Sequence, residues 1–268
     1  MTSAAVCRSG TIGEFTEEFS DEAFTGETLP IGPRCGGSRD GGPTAVGVVS
    51  GHLARVCDDG PVSDTADDPT RSVCVYCGSS SGADPRYAAL ASDLGRELAR
   101  RDVGLVYGGG RIGLMGLVAD AVLDGGGFVR GVIPEHLVRA ETAHLGLDAL
   151  EVVTSMHERK ARMAELSDGF VVLPGGFGTL DEVFEILTWN QLGLIAKPVV
   201  FLDVAGFHEP LVRMVDHMVA TGFVSSAFRS LVTVADTVES AVDRAIGPAP
   251  VVSGKLRDLD VTAKRSTL

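Results

Sequence analysis

Three glycine-rich segments and one pair of adjacent basic residues hold most of the chemically capable side chains in this chain. The most informative segment is Leu173-Pro174-Gly175-Gly176-Phe177-Gly178-Thr179-Leu180-Asp181-Glu182, with three glycines in four positions after an apolar run. Glycines there let the backbone approach a ligand closely, and a helix starting at that point offers free N–H groups to an anion, with phosphate the obvious guest. None of the four lysines stands in G-x-x-x-x-G-K-[ST], which disfavours an ATPase. Helical spacing predicts a core stripe of Leu180, Val183, Phe184 and Leu187 and turns Glu182 to the opposite side. Glu182 then either closes a capping box with Thr179, worth about 1 kcal/mol, or takes part in chemistry. Glu185 follows one turn later on the face of Glu182, where it either tunes that carboxylate or is simply solvated.

The basic pair lies in Ser155-Met156-His157-Glu158-Arg159-Lys160-Ala161. Ser155 and Glu158 read as a capping box, which puts Arg159 and Lys160 in the first turn or two of a helix. Cations there oppose the helix dipole at a cost of about 0.3–1 kcal/mol, which an anionic ligand or a nearby carboxylate offsets. Two solvated side chains are the alternative. His157-Glu158 does not begin a zinc-protease H-E-x-x-H, because position 161 is Ala. Gly108-Gly109-Gly110-Arg111-Ile112-Gly113 fits G-x-G-x-x-G, with Glu135 22 residues beyond its last glycine. A dinucleotide fingerprint, a mononucleotide loop and a structural tight turn all fit that spacing. Gly78-Ser79-Ser80-Ser81-Gly82 formally matches the G-x-S-x-G of serine hydrolases. Its helix cap falls later, at Asp84, so a serine-rich loop donating to a polar ligand is the better reading.

These loops punctuate a regular alternation of short β-branched runs and amphipathic stretches from residue 72 onward, the pattern of an α/β domain. The expected fold is a Rossmann-like open sheet of mostly parallel strands with helices on both faces. Strands are predicted at Val73–Cys77, Gly104–Tyr107, Val129–Ile133, Glu151–Val153, Gly169–Leu173, Pro198–Leu202 and Leu231–Val234. Helices are predicted at Pro85–Arg101, behind the Asp84 cap, and at Gly113–Leu123. Runs such as Phe170-Val171-Val172-Leu173 are apolar on both faces and belong at the centre of the sheet. Cys74 and Cys77 form a C-x-x-C, but no second half-site follows, and on a strand they face opposite ways as two buried thiols.

Residues 1–70 carry four Arg, no Lys and twelve acids together with 11 Gly and 5 Pro, the composition of a disordered acidic arm. Residues 71–247 form the expected nucleotide-binding domain, and 248–268 a tail. The net charge of −13 argues against nonspecific binding to nucleic acid or an anionic membrane, although a local cationic pocket can still hold a small anion. No apolar run approaches the ~18 residues of a membrane span, and the N-terminus lacks signal-peptide blocks, so the expected location is the cytoplasm.

Taken together, Pro174-Gly-Gly-x-Gly-Thr-x-x-Glu182, Met156-His-Glu-Arg-Lys-Ala161, Val106-Tyr-Gly-Gly-Gly110, Gly113-Leu-Met-Gly116 and Gly131-Val-Ile-Pro134 resemble the LONELY GUY (LOG) family of nucleoside 5′-monophosphate phosphoribohydrolases. The match runs in order and spacing from about Val73 to Leu211. The resemblance implies hydrolysis of the N-glycosidic bond of AMP-like nucleotides, including cytokinin riboside monophosphates, to free base and ribose 5-phosphate. It implies Arg159 and Glu182 as the catalytic pair and Gly175, Gly176, Gly178 and Thr179 as the phosphate and ribose cradle. Lys160, Met156, Ser79, Gly109 and Gly110 complete the expected substrate-binding set. No metal or other cofactor is implied. The partner is a small nucleoside monophosphate, and a homodimer or larger homo-oligomer is expected, with Thr188-Trp189-Asn190-Gln191 at the contact. The label "lysine decarboxylase", often given to such proteins, has no support in these residues, since no Lys stands in a context suited to a pyridoxal phosphate Schiff base. Two alternatives remain: a noncatalytic nucleotide or cofactor carrier on the same fold, and an esterase using Ser80.

Overall fold

A computed structural model describes residues 69–140 and 143–252. Most of the expected acidic arm, and the tail from residue 253, lie outside the described residues. Seven strands, β1 (Ser72–Tyr76), β2 (Gly104–Tyr107), β3 (Val129–Pro134), β4 (Ala149–Val153), β5 (Gly169–Val172), β6 (Val199–Leu202) and β7 (Thr233–Ala235), form one sheet in the order β4-β3-β2-β1-β5-β6-β7. Every neighbouring pair is parallel. The helices are α1 (Pro85–Arg100), α2 (Gly113–Asp124), α3 (Leu137–Ala140), α4 (Met156–Glu165), α5 (Phe177–Leu192), α6 (Glu209–Ala220) and α7 (Val238–Ala245).

Strand alternation divides the core into two layers. Val73, Val75, Leu105, Val171 and Val200 pack with α1, α2 and α7 residues such as Leu94, Val118 and Val242. Cys74, Tyr76, Val106, Phe170 and Val172 pack on the other face with Met163 of α4, Val183 and Ile186 of α5 and Val215 of α6. The two cysteines therefore face opposite ways, both buried and both free thiols. Apolar faces on both sides of the central strands are what helices on both faces require.

The last strand is not the expected Leu231–Val234. Ser226–Leu231 is a 3₁₀ helix, and β7 begins at Thr233. Leu231 is buried, so it supplies an apolar signal without being extended. The chain order reverses between β1 and β5, and the site lies at the carboxyl ends of these strands, where ligands bind in open sheets.

Candidate active site

Three loops are laced together at the carboxyl ends of β1 and β5. Gly78 donates its N–H to Pro174 O at 3.0 Å and accepts from Leu114 N at 3.0 Å, tying the end of β1 to the end of β5 and to the start of α2. Gly113 sits at φ +61°, and a side chain there would strike the Ser79 carbonyl at 2.4 Å. At Gly175 a Cβ would lie 2.1 Å from Thr179 Oγ1, so the close turn over α5 demands glycine.

Gly176 is the N-cap of α5 and has no side-chain capping bond. The N–H groups of residues 177–179 thus begin the helix without intrahelical acceptors, and these three residues line the cavity described below. Thr179 is the third helical residue, not a cap, which removes the Thr179–Glu182 capping box that was the alternative to a chemical role for Glu182. The expected core stripe is also rotated. Thr179, Glu182, Val183, Ile186 and Asn190 are the buried residues of α5, while Phe184 is partly exposed. Glu182 is turned inward with 9% of its surface exposed.

Arg159 comes from α4. Ser155 caps that helix by accepting from Glu158 N at 3.1 Å, while the Glu158 carboxylate reaches back to Thr154 N and Oγ1 at 2.8 and 2.7 Å and not to Ser155. The capping box is therefore displaced by one residue on its return arm. Arg159 and Lys160 are not solvated: they are 5% and 6% exposed. Arg159 donates through Nε to Val132 O and through Nη2 to Gly108 O, both at 3.2 Å, and its Nη1 lies 3.8 Å from Met156 Sδ. The same Nη2 stands 3.9 Å from Glu182 Oε1. Backbone carbonyls thus fix a guanidinium beside a carboxylate, both withdrawn from water, where each charge acts more strongly than it would at the surface.

A cavity of about 200 Å³ opens on this pair, lined by Ser79, Arg159, Gly176, Gly178, Thr179 and Glu182 among the expected residues. Gly175 lines an adjoining cavity of about 240 Å³, which shares Gly78, Ser79 and Gly176 with the first. Four expected residues stand elsewhere. Gly109 O accepts from His144 N at 3.0 Å and Gly110 bridges to Ala143, so both face the following segment. Met156 stands behind Arg159, and Lys160 pairs with Asp181 and Glu185 at 3.0 and 2.9 Å.

The sequence reading missed Val75, Cys77, Gly78, Gly108, Met115 and Phe177 on the cavity wall. The glycine run flagged Gly108, the exposed apolar Phe177 between two glycines was a readable anomaly, and Met115 stands in the Gly113-Leu-Met-Gly116 motif. Burial pushes the Cys77 thiol up, and the nearby Glu182 charge adds to the effect against the opposing pull of Arg159. Cys74 is raised well above the usual thiol range by the same two causes in the same order. Ser80 is exposed, and its Oγ accepts from Gly82 N at 3.3 Å in a loop that reaches its helix only after the Asp84 cap. That is not the abrupt strand-to-helix turn of a hydrolase elbow. Among the described residues no group of three or more His, Cys, Asp or Glu side chains is placed to hold a metal ion, and no helix is long and apolar enough to cross a membrane.

A cleft at the chain reversal of a parallel sheet, with a helix N-terminus and a buried Arg–Glu pair in it, is an arrangement suited to an anionic ligand on an α/β fold. The family model described as "Possible lysine decarboxylase" matches residues 115–245. The chain is 48% identical over 182 residues to the cytokinin riboside 5′-monophosphate phosphoribohydrolase of Rhodococcoides fascians, covering 68% of this chain and 92% of that protein. It is 47% identical over 172 residues to the cytokinin riboside 5′-monophosphate phosphoribohydrolase LOG of Oryza sativa subsp. japonica, covering 64% and 71% of the two chains. Among solved structures, the molybdenum cofactor carrier protein MCP of Chlamydomonas reinhardtii is 23% identical with a TM-score of 0.49, covering 64% of this chain and 93% of that one. This chain belongs to the LONELY GUY family of phosphoribohydrolases.

Proposed function

We propose that the protein hydrolyses the N-glycosidic bond of AMP-like nucleoside 5′-monophosphates, cytokinin riboside monophosphates among them, releasing the free base and ribose 5-phosphate. The observation that carries this reading is the buried Arg159–Glu182 pair, 3.9 Å apart, beside the open N-terminus of α5. The first-turn N–H groups of α5 with Thr179 receive phosphate and ribose oxygens, an anion site that needs no lysine. As the bond from C1′ to the base nitrogen lengthens, positive charge gathers on the sugar, and the Glu182 carboxylate balances it. Water adds its oxygen to C1′ and gives its proton to Glu182, while the base leaves with the bonding electron pair and takes up a proton. Arg159 orients the substrate and stabilises negative charge on phosphate or departing base through its planar donor fork.

The reading includes assembly into a homodimer or larger homo-oligomer through Thr188 and Gln191 of the expected 188–191 stretch; Asn190 of that stretch is buried and bonded to Ile186 O and Lys197 N, so it is not part of such a contact. The assembly is supported by the apolar groove that Phe184, Leu187, Thr188 and Gln191 of α5 form with Val215 and Met218 of α6.

The test is release of ribose 5-phosphate and free base from AMP and N6-isopentenyl-AMP by the wild type, Glu182→Ala and Arg159→Ala, with circular dichroism on all three. Turnover by the wild type and its loss in both folded variants is the expected result. AMP binding without release from either substrate would overturn the hydrolase and leave a nucleotide carrier.

A further inference from the structure

Lys160 is the second cation of α4, and it does not reach the cavity. Its ammonium lies 3.0 Å from Asp181 Oδ2, a hydrogen bond, and 2.9 Å from Glu185 Oε2, an ion pair outside hydrogen-bond angles. Burial works against the ammonium, but the Glu185 and Asp181 carboxylates outweigh it and hold its pKa above the usual lysine value. The two acids differ in setting. The Asp181 side chain is 63% exposed and can be hydrated without a counter-ion, whereas Glu185 Oε2 is withdrawn from solvent.

Glu185 follows Glu182 by three residues on α5, which puts their Cβ atoms about 5–6 Å apart. Both carboxylates act on the buried Tyr76 phenol, whose pKa is raised by burial first, then by Cys74 and Glu182, and also by Glu185. Charged and titratable groups placed about Glu182 include Arg159 and Lys160 from α4, Asp181 and Glu185 from α5, Cys74 and Tyr76 from β1, and Cys77 just after β1; the thiols and the phenol are buried. With their pKa values raised by burial, the two thiols and the phenol remain neutral at physiological pH, so Glu185 is the interior negative charge nearest to Glu182 along the helix, and Lys160 is its counter-ion.

We infer that Lys160 is a positioning residue of the Arg159–Glu182 pair, fastening α4 to α5 and neutralising Glu185 so that Glu182 stays ionised beside Arg159, and that it is not a ligand of the substrate phosphate. Its kinetic consequence rests on the hydrolase reading above, while its electrostatic consequence does not.

The test follows the Glu182 side-chain carboxyl by ¹³C NMR during pH titration of the full chain, with the resonance assigned by Glu182→Gln. Lys160→Met raises the Glu182 midpoint by about one pH unit, the size expected for an uncompensated charge at about 6 Å in a partly hydrated interior. Lys160→Met/Glu185→Gln returns it to the wild-type value, and Glu185→Gln alone lowers it. That last variant keeps the inference testable if Lys160→Met does not fold. In ribose 5-phosphate release from AMP, the acid limb of kcat/KM moves with the midpoint, Glu185→Gln rescues Lys160→Met, and Lys160→Arg retains most activity. An unmoved Glu182 titration in Lys160→Met overturns the inference. So does a rise in KM for AMP that Glu185→Gln does not rescue, the signature of a lost phosphate ligand. If the wild type releases no ribose 5-phosphate, the hydrolase reading fails while the titration still decides the role of Lys160.

Discussion

Replacing Gly108 by Ala adds a single methyl group and aims it at Arg159. The new Cβ would lie 1.9 Å from Arg159 Nη2 and 3.0 Å from its Cζ, while no backbone atom is among its three nearest neighbours. Gly108 is not a positive-φ residue, so alanine fits its backbone. What must move is the far end of a flexible side chain. Arg159 then loses its 3.2 Å bond to Gly108 O and its alignment with Glu182. A charge-assisted bond contributes about 1.5–3 kcal/mol. If that is lost from the transition state, kcat/KM for ribose 5-phosphate release falls by roughly 10- to 100-fold. The same bond is lost from the folded ground state, so the melting temperature should fall by about 3–12 °C while circular dichroism at assay temperature stays native. Gly146→Ala, whose Cβ makes an ordinary 3.4 Å contact with His144, is the control and should leave activity unchanged. Adding Gly108→Ala to Arg159→Ala should cost little more than Arg159→Ala alone, since both act through one guanidinium. Wild-type activity in Gly108→Ala, with Arg159→Ala inactive, would refute the claim that the Gly108 contact sets the arginine.

Two further outcomes test the electrostatics away from Arg159. Hydrogen bonds from Arg100, against the cost of burial and with help from Arg101, lower the Glu97 carboxyl from 4.5 to about 2. Glu97→Gln should therefore cost about 1–2 kcal/mol at neutral pH, a figure reduced because Arg100 is largely exposed. The depressed pKa makes this stabilisation present above about pH 4.5 and lost as pH falls toward about 2, so urea midpoints of the two proteins should converge over that window. Burial, reinforced by Glu182, keeps Cys74 and Cys77 as thiols. Mass-spectrometric mapping after a brief exposure to a thiol reagent should find both unlabelled in the native protein and labelled in denaturant; fast native labelling of Cys77 would contradict its raised pKa.

Much of the fold was legible because its signals are local. Phe170 to Leu173 is apolar at every position, and Gly169–Val172 is indeed a central strand flanked by β1 and β6. Gly104–Tyr107 matches the expected strand residue for residue, and the Asp84 cap with Pro85 behind it starts α1 as expected. The rotation of α5 was not legible, because hydrophobic spacing asks only where apolar side chains recur. Thr179, Glu182, Val183 and Ile186 share a face because part of that face borders the cleft and Arg159, a residue of another helix. No window along α5 contains that partner. Lys160 was misleading for a similar reason: proximity in sequence to Arg159 suggested a shared ligand, whereas one residue along a helix turns the side chain by about 100° and toward α5.

The position of β1 between β2 and β5 has a consequence for how the chain is made. Its first neighbour, β2, follows after α1, but its second pairs Val73 with Gly169, almost a hundred residues later. During translation the emerging chain holds one row of β1 backbone groups open, beside the apolar side chains of Cys74 and Tyr76, until β5 has left the ribosome. The clasp from Ser72 N to Asp168 Oδ2, 2.8 Å long, and the β1–β5 ladder close that row in one event. With β5 in place, Arg159, which precedes it in the chain, and Glu182, which follows it, meet on one face of the sheet. A truncated product ending before residue 169 therefore leaves one edge of β1 unpaired, an aggregation-prone edge that the full chain closes.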